Sequence, residues 1–505
     1  MKTKIFPPVF FLLLFPVLLI AQSGDSAVVE RYYPKIALRE DLNTFVGSFR
    51  SVHPKPYWYT SAEEFDTTFR VFAANLPDSA TVMEFYSLLL PFVNLIGDEN
   101  TRVLFPRSLL ADYRAKGGTF FPMKVRIVEN EVFVKENLLP DDTTVRTGMK
   151  IAAINGVGIK RLLKKFNEMV PATKASLRMA EIAENFSLLL WSAYQFEGPY
   201  DVSVTLPREG MVDTYRVDGV PAEKLGISSH PGEKIHTNDL EYAVDLQRNF
   251  ATVTIRDYVS HRDLKAFLAK AFGHIKSTGV PHVVIDVRDL DVQDEGLPDA
   301  VLQYVTRKPY RHYAAIEAKS SPLTKKFYRK TYRAEMRAEK RVVRDKRAVR
   351  KAYKMVRKGL DYANTYYAPE LKRPFGRGTK LDGEFYLLVN EGSRNSATVL
   401  AAIVQDHKLG LVIGNETGSR ASRFKKSYPF TLPHTGLECQ LPHRYYLRPS
   451  SFDSGFGVLP DYVIDQGGEK QVDREYPLTF AAELFKRREV YRQRREAFEK
   501  RTRGR

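Results

Sequence analysis

Ser393, Asn395 and Ser396 stand where an apolar run gives way to a helical pattern, and small polar side chains at such a joint suit nucleophilic chemistry. Phe385 to Val389 is a continuous apolar stretch bounded by turn formers, whereas Val399, Leu400, Ile403 and Val404 recur at helical spacing. A serine between them would carry its hydroxyl beside the free backbone amides of the first helical turn, which can hold a developing oxyanion. Ser and Asn are equally the usual caps of helices, so the same residues are explained without chemistry. No His/Cys/Asp/Glu cluster has metal-ligand spacing, and neither a Gly-x-Gly-x-x-Gly nor a P-loop string occurs, so no metal, nucleotide or other cofactor is expected.

The elements that must aim this joint read as an α/β arrangement. Asn249 to Ile255 is strand-like, Arg262 to Lys276 helical, and Val283 to Arg288 a buried strand, the order of a βαβ unit in a largely parallel sheet. Phe385 and then Leu409 to Ile413 resume the sheet, and polar loops at the ends of such strands are the usual place for sites. This core spans 240–480. Ahead of it, 28–108 reads as amphipathic helices with short breaks and 117–225 as a β-rich unit with a linking helix, in which Gly148 and Gly156 punctuate a strand pair filled by Ile151 and Ile154.

Charge is unevenly spread. The net charge is +18, but 319–358 holds 17 Lys/Arg against 3 Asp/Glu and 486–505 holds 10 against 3, so the body is mildly acidic. The first of these lies in a helical insertion, 318–370, whose Tyr328, Tyr332, Met336, Val342, Val349, Tyr353 and Val356 form an apolar stripe that must lie on something. The second is a basic C-terminal helix, 481–505. An anionic envelope surface or acidic peptides would suit these helices, a solvated insertion with one packed face suits them equally, and nucleic acid is a poor choice of partner.

Residues 1–21 have the order of a secretory signal: Lys2 and Lys4, an apolar run from Ile5 to Ile20, then Ala21. The expectation is an exported protein, periplasmic or extracellular. Cys439 is the only cysteine, so no disulfide can form within the chain.

Several strings in their order resemble the tail-specific, or C-terminal processing, serine peptidases: the Ile285-Asp286-x-Arg288 strand, the Asn395/Ser396 turn, Gly414 to Gly418, and Gly457 to Asp461. The helical N-terminal unit and the Gly148-x-x-Ile151-x-x-Ile154-x-Gly156 string, similar to a PDZ module, extend the resemblance over most of the chain. It implies a crotonase-like core, a peptide or protein substrate captured by strand addition, and Gly148, Ile151 and Ile154 at the peptide-binding sheet. It further implies that Asp286 and Arg288 form a structural ion pair.

The resemblance also places the chemistry. Asn395 falls on the family's nucleophilic serine, with Ser396 one residue late; Arg420 falls on the base lysine of one branch, and Asn100, in Asp98 to Thr101, on the base histidine of another. A guanidinium with a pKa above ~12 cannot take the hydroxyl proton, and an amide is no base either. Asp289 and Asp291, with the Ala397 amide, fall on the oxyanion loop, where carboxylates disfavour an oxyanion. Two readings follow. Ser396 is a nucleophile served by Lys425, Lys426 or a histidine such as His407, or the chain is a degenerate binder with Asn395 in the nucleophile position.

Overall fold

The computed structural model describes residues 31–503, except 140, 172–174, 206–210, 227–235, 343–345, 372, 375–380, 382 and 465–475. The expected signal at 1–21 therefore lies outside the described residues. In chain order, β1 (Tyr33–Pro34), α1 (Lys35–Val52), α2 (Ala62–Ala74), β2 (Ser79–Ala80), α3 (Val82–Asn94), β3 (Arg102–Val103) and α4 (Arg107–Ala115) build the N-terminal unit. Thr81 and Glu84 close a capping box at the start of α3, each satisfying a backbone amide that the helix leaves free.

A β-rich unit follows, made of β4 (Met123–Val128), β5 (Glu131–Asn137), β6 (Lys150–Ile154), β7 (Val157–Gly158), α5 (Ile159–Met169), α6 (Ala175–Glu184), α7 (Phe186–Tyr194), β8 (Tyr200–Thr205) and β9 (Val212–Val217). The sheet order is β4-β5-β6-β8-β9. Asn155 and Gly156, both at positive φ, make the tight β6–β7 hairpin, a conformation that Asn-Gly adopts with little strain.

The core begins with β10 (Asp239–Asp245), β11 (Phe250–Asp257), α8 (His261–Ser277), β12 (His282–Asp286), β13 (Asp291–Val292), α9 (Leu297–Val305) and β14 (Ala315–Lys319). It continues through α10 (Pro322–Val342), α11 (Lys346–Lys358), β15 (Asn364–Tyr367), β16 (Phe385–Val389), β17 (Arg394–Asn395), α12 (Ser396–Asp406) and β18 (Leu411–Gly414). Last come β19 (Arg423–Thr431), β20 (Glu438–Leu447), β21 (Tyr462–Val463) and α13 (Tyr476–Arg503).

The central sheet runs β10-β11-β12-β16-β18-β21, parallel throughout except for β10. Strands covered on both faces must be apolar at every position, which is why β12 and β16 read as unbroken runs. Alternation divides them: Val283, Ile285, Leu387 and Val389 pack with α8, α9 and α12. Val284, Tyr386, Leu388 and Ile413 face Ala481, Leu484 and Phe485 of α13. The C-terminal helix thus begins at Tyr476 and its first turns belong to the core, not to a separate basic element from 481. Phe485 stacks on Tyr386 with centroids 3.8 Å apart, and Arg488 pairs with Glu384 at 2.9 Å.

A second sheet, β15-β14-β20-β19, joins the core to the N-terminal unit through β3. The basic insertion grows out of it as a helical pair bracketed by β14 and β15, which pair Ile316 with Tyr367. Tyr328 and Val356 are buried against Ala318, and Tyr332 stacks on Tyr353 at 4.1 Å, so this part of the expected stripe does lie on the sheet and on itself. The side chains of Met336, Val342 and Val349 lie outside the described residues.

Candidate functional site

Val389 ends β16 beside the end of β12, and the chain reverses through Asn390 to Ser393 before α12. Ser393 fixes the reversal: its Oγ donates to Val287 O at 2.8 Å and accepts from Asn390 N at 3.0 Å, while Thr398 Oγ1 donates to Ser393 O. Asn390 reaches across to Asp289, accepting from its amide at 2.9 Å and donating to its carboxylate at 2.8 Å. The loop after β12 is therefore stitched to the turn before α12, and the short parallel pair β13–β17 sets Asp291 opposite Arg394 and Val292 opposite Asn395.

Asn395 is held at φ 50° and ψ −111°, a strained conformation for a residue with a side chain. A sharp strained turn from strand to helix is the device that presents a nucleophile away from the helix it precedes. What it presents here is an amide with both ends engaged. Nδ2 donates to Asp291 Oδ1 at 2.7 Å, Oδ1 accepts from Arg423 Nη1 at 3.2 Å, and the backbone amide donates to Ser419 Oγ. Asn395 precedes the helix without a side-chain capping bond, so the capping reading fails for this residue.

Ser396 is 2% exposed, and among the described residues its Oγ has no hydrogen-bond partner. None of the bases considered for it engages that hydroxyl. His407 closes the other end of the 11-residue α12, about 16 Å along the axis, and its Nε2 meets the Arg311 backbone. Lys425 and Lys426 are partly buried and ion-paired to Glu295 at 3.3 and 3.1 Å. Burial pushes Lys425 down to about 8, Arg423 adds to the effect, and Glu295 opposes it. Burial would raise Glu295, but the two lysines outweigh it and hold the carboxyl at about 2.

The oxyanion candidates are not free for that role. Asp289, at φ 61°, spends its amide on Asn390, Asp291 offers a carboxylate to Asn395, and Ala397 is wholly buried. Asp286 and Arg288 do pair, at 2.8 Å, and Arg256 joins them at 2.6 Å.

Arg420 and Asn100 lie far apart in sequence but line one small cleft with Tyr59, Glu99, Arg423 and Phe424. Asn100 donates to Phe424 O at 2.9 Å, a contact spanning 324 residues. The Arg420 guanidinium lies over the Tyr59 ring, 3.9 Å from its centroid. Asp98 accepts from Asn100 N and Thr101 Oγ1, with His53 Nε2 3.5 Å away. His53 accepts from Lys55 N through Nδ1 and packs at a tilt against Phe424, which makes it a wall of this region and not a base aimed at Ser396. Sequence reading missed Arg423, Tyr59 and His53. Only Arg423 left a signal, as a second arginine three places after Arg420.

The peptide-binding assignment changes. Ile151 and Ile154 are 1% and 0% exposed, and β6 has partners on both edges, so an added strand would have to use β4 or β9. Gly148 serves the approach to β6 at φ 88°.

Among the described residues no group of His, Cys, Asp and Glu is arranged to hold a metal, and no helix is long and apolar enough to cross a membrane. No curated protein matches the chain in sequence. Three solved structures give the comparison. Mature CPAF complexed with lactacystin is 12% identical over 85% of this chain and 94% of its own, with a TM-score of 0.58. A CPAF mutant is 13% identical over 86% and 94%, with a TM-score of 0.57. The photosystem II D1 C-terminal processing protease is 16% identical over 85% and 93%, with a TM-score of 0.42. The two CPAF structures show a shared fold. Residues 302–464, which contain the Asn395 turn, Arg420 and Arg423, match the model of peptidase family S41. Residues 302–464 are thus a peptidase family S41 region, set within a chain that shares the CPAF fold.

Proposed function

We propose that this chain is an exported, peptide-binding member of its family in which hydrolysis has been lost. The observation that carries the reading is Asn395, held in the conformation of a presented nucleophile with its amide clamped between Asp291 and Arg423. A hydroxyl nucleophile needs a neighbouring base and a free oxyanion site. Ser396 Oγ has no partner among the described residues, the two base positions carry Arg420 and Asn100, and the Asp289 amide is occupied. An extended peptide would pair with β4 or β9 of the β-rich unit and run towards the Asn395 turn. The basic helices α11 and α13 would meet an anionic envelope surface. The apolar run behind Lys2 and Lys4 supports export, and N-terminal sequencing of the protein from cell fractions tests it.

Incubation of the mature protein with unstructured peptides decides the chemistry. The expected result is no cleavage in the wild type, and none in Asn395→Ser, because no base accompanies the new hydroxyl. A detectable rate is expected only when Asn395→Ser is combined with Asn100→His or Arg420→Lys. Cleavage by the wild type that vanishes in Ser396→Ala would overturn the proposal.

A further inference from the structure

The cleft beside Asn395 has donors to spare. Arg423 is 4% exposed and gives Nη1 to Asn395, but its Nε and Nη2 are buried with no hydrogen-bond partner among the described residues. Arg420 Nε and Nη1 are in the same condition. A guanidinium is always charged, and leaving its N–H groups unpaired out of water is unfavourable. The neighbouring acids do not relieve them. Asp98 is already engaged by Asn100 N and Thr101 Oγ1, and burial together with Asp98 pushes the Glu99 carboxyl up towards its neutral form. Tyr59 takes one face of Arg420, and stacking leaves the in-plane N–H edge available.

We infer that this cleft is a carboxylate-binding subsite, in which the planar forks of Arg420 and Arg423 receive the carboxylate of a peptide lying across Asn395. Two guanidinium edges match a planar monoanion through paired N–H···O bonds. The closed part of the cleft is only about 10 Å³, at most one water's room, so the carboxylate would be received at its solvent-open mouth. A phosphate dianion suits it less well, because the Asp98 carboxylate stands on the same wall. The carboxylate can come from a peptide's C-terminus or from a Glu side chain. This inference rests on the binding reading above, and it turns the family's base positions into an anchor.

The test is direct binding of one unstructured peptide in three forms: free C-terminus, C-terminal amide, and C-terminal amide with an internal Glu. The free acid is expected to bind at least about tenfold more tightly than the amide, the preference falling to about twofold or less in Arg420→Gln. Recovery of affinity by the internal Glu assigns the side chain as a second source of the same group. Arg420 is only half-buried, and Arg420→Lys, which keeps the charge but loses the fork, is expected to retain part of the preference, with an unchanged unfolding midpoint showing that both variants fold. Acetate provides a separate arm: it should raise the midpoint of the wild type and not of Arg420→Gln. Equal binding of acid and amide together with no acetate effect would overturn the subsite while leaving peptide binding intact. Failure of all three peptides with a retained acetate effect would sink the binding reading and spare the subsite. Cleavage lost in Ser396→Ala would count against the first proposal alone.

Discussion

Asp286 and Arg423 are comparably buried, at 2% and 4% exposure, yet their charges are satisfied to opposite degrees. Asp286 Oδ1 accepts from Arg256 Nη1 at 2.8 Å and from the amide and Nε of Arg288 at 3.0 Å, while Oδ2 accepts from Arg256 Nη2 and Arg288 Nη2. Burial would raise this carboxyl, but Arg256 and Arg288 outweigh burial and keep it below its ordinary range. Arg423 gives Nη1 to Asn395, while its Nε and Nη2 have no hydrogen-bond partner among the described residues. A buried charge surrounded by partners fixes backbone, here the end of β12 from which the 289–295 loop departs. A buried charge left short of partners spends stability, which a fold tolerates where a ligand completes the set.

The largest effect should come from the satisfied cluster. Asp286→Ala removes the carboxylate that Arg256 and Arg288 share, and breaking such a buried set costs on the order of 3–5 kcal/mol. Urea unfolding followed by circular dichroism measures it. A loss below about 1 kcal/mol would erase the contrast, because Asp286 would then be no more structural than Arg423.

Glu295 supplies an intermediate case, one carboxylate shared by Lys425 and Lys426. Its folded pKa of about 2 lies below the ordinary 4.5, so its contribution is complete above pH 4.5 and is lost as pH falls from 4.5 towards 2. The loss should be on the order of 2–3 kcal/mol, discounted for partial solvent contact. Lys425 adds a slope of the same sign at high pH. Its folded value of about 8 lies below 10.5, the unfolded chain binds the extra proton in between, and stability rises over that interval. The acid slope should flatten in Glu295→Gln. Identical slopes in both proteins would show the pair to be inert.

These clusters differ in how far the sequence discloses them. The Asp286–Arg288 pair is two residues apart on a strand whose apolar run is unmistakable, and the Asn395 turn follows from Phe385 to Val389 meeting a helical period. Arg256 was not foreseen, because its contact with Asp286 runs between neighbouring strands 30 residues apart. The cleft is still less legible. Tyr59 and Asn100 come from the helical unit and Arg420 and Arg423 from the core, and no periodicity links positions more than 300 residues apart. The β-rich unit misled in another way. Its glycine-punctuated string identifies a strand, but only the pairing order reveals that β6 is interior and that Ile151 and Ile154 are core. The basic segments gave their helices correctly from period and charge, yet the first turns of α13 are core because Phe485 stacks on Tyr386, an aromatic match with no pattern to announce it.

The smallest effect on stability is the sharpest test of the comparison. Arg423→Met keeps much of the side-chain volume, removes the idle N–H groups from the interior, and gives up one bond to Asn395 Oδ1, worth about 1 kcal/mol. Replacing a poorly paired buried charge by an apolar isostere is neutral or stabilising in other proteins, so the unfolding free energy should stay within about 1 kcal/mol of wild type or rise. Asn395 would lose one of its two side-chain tethers and keep Asp291, so its turn should persist. Lys425 would lose a positive neighbour and titrate higher, which an NMR titration of its side chain can follow. If Arg423→Met falls by about 3 kcal/mol or more, as expected for Asp286→Ala, then Arg423 is held for the fold. Its idle donors would then be a cost of architecture, and the distinction between the two clusters would collapse. If it is neutral while the preference for a free carboxylate disappears, the charge is there for what binds beside Asn395.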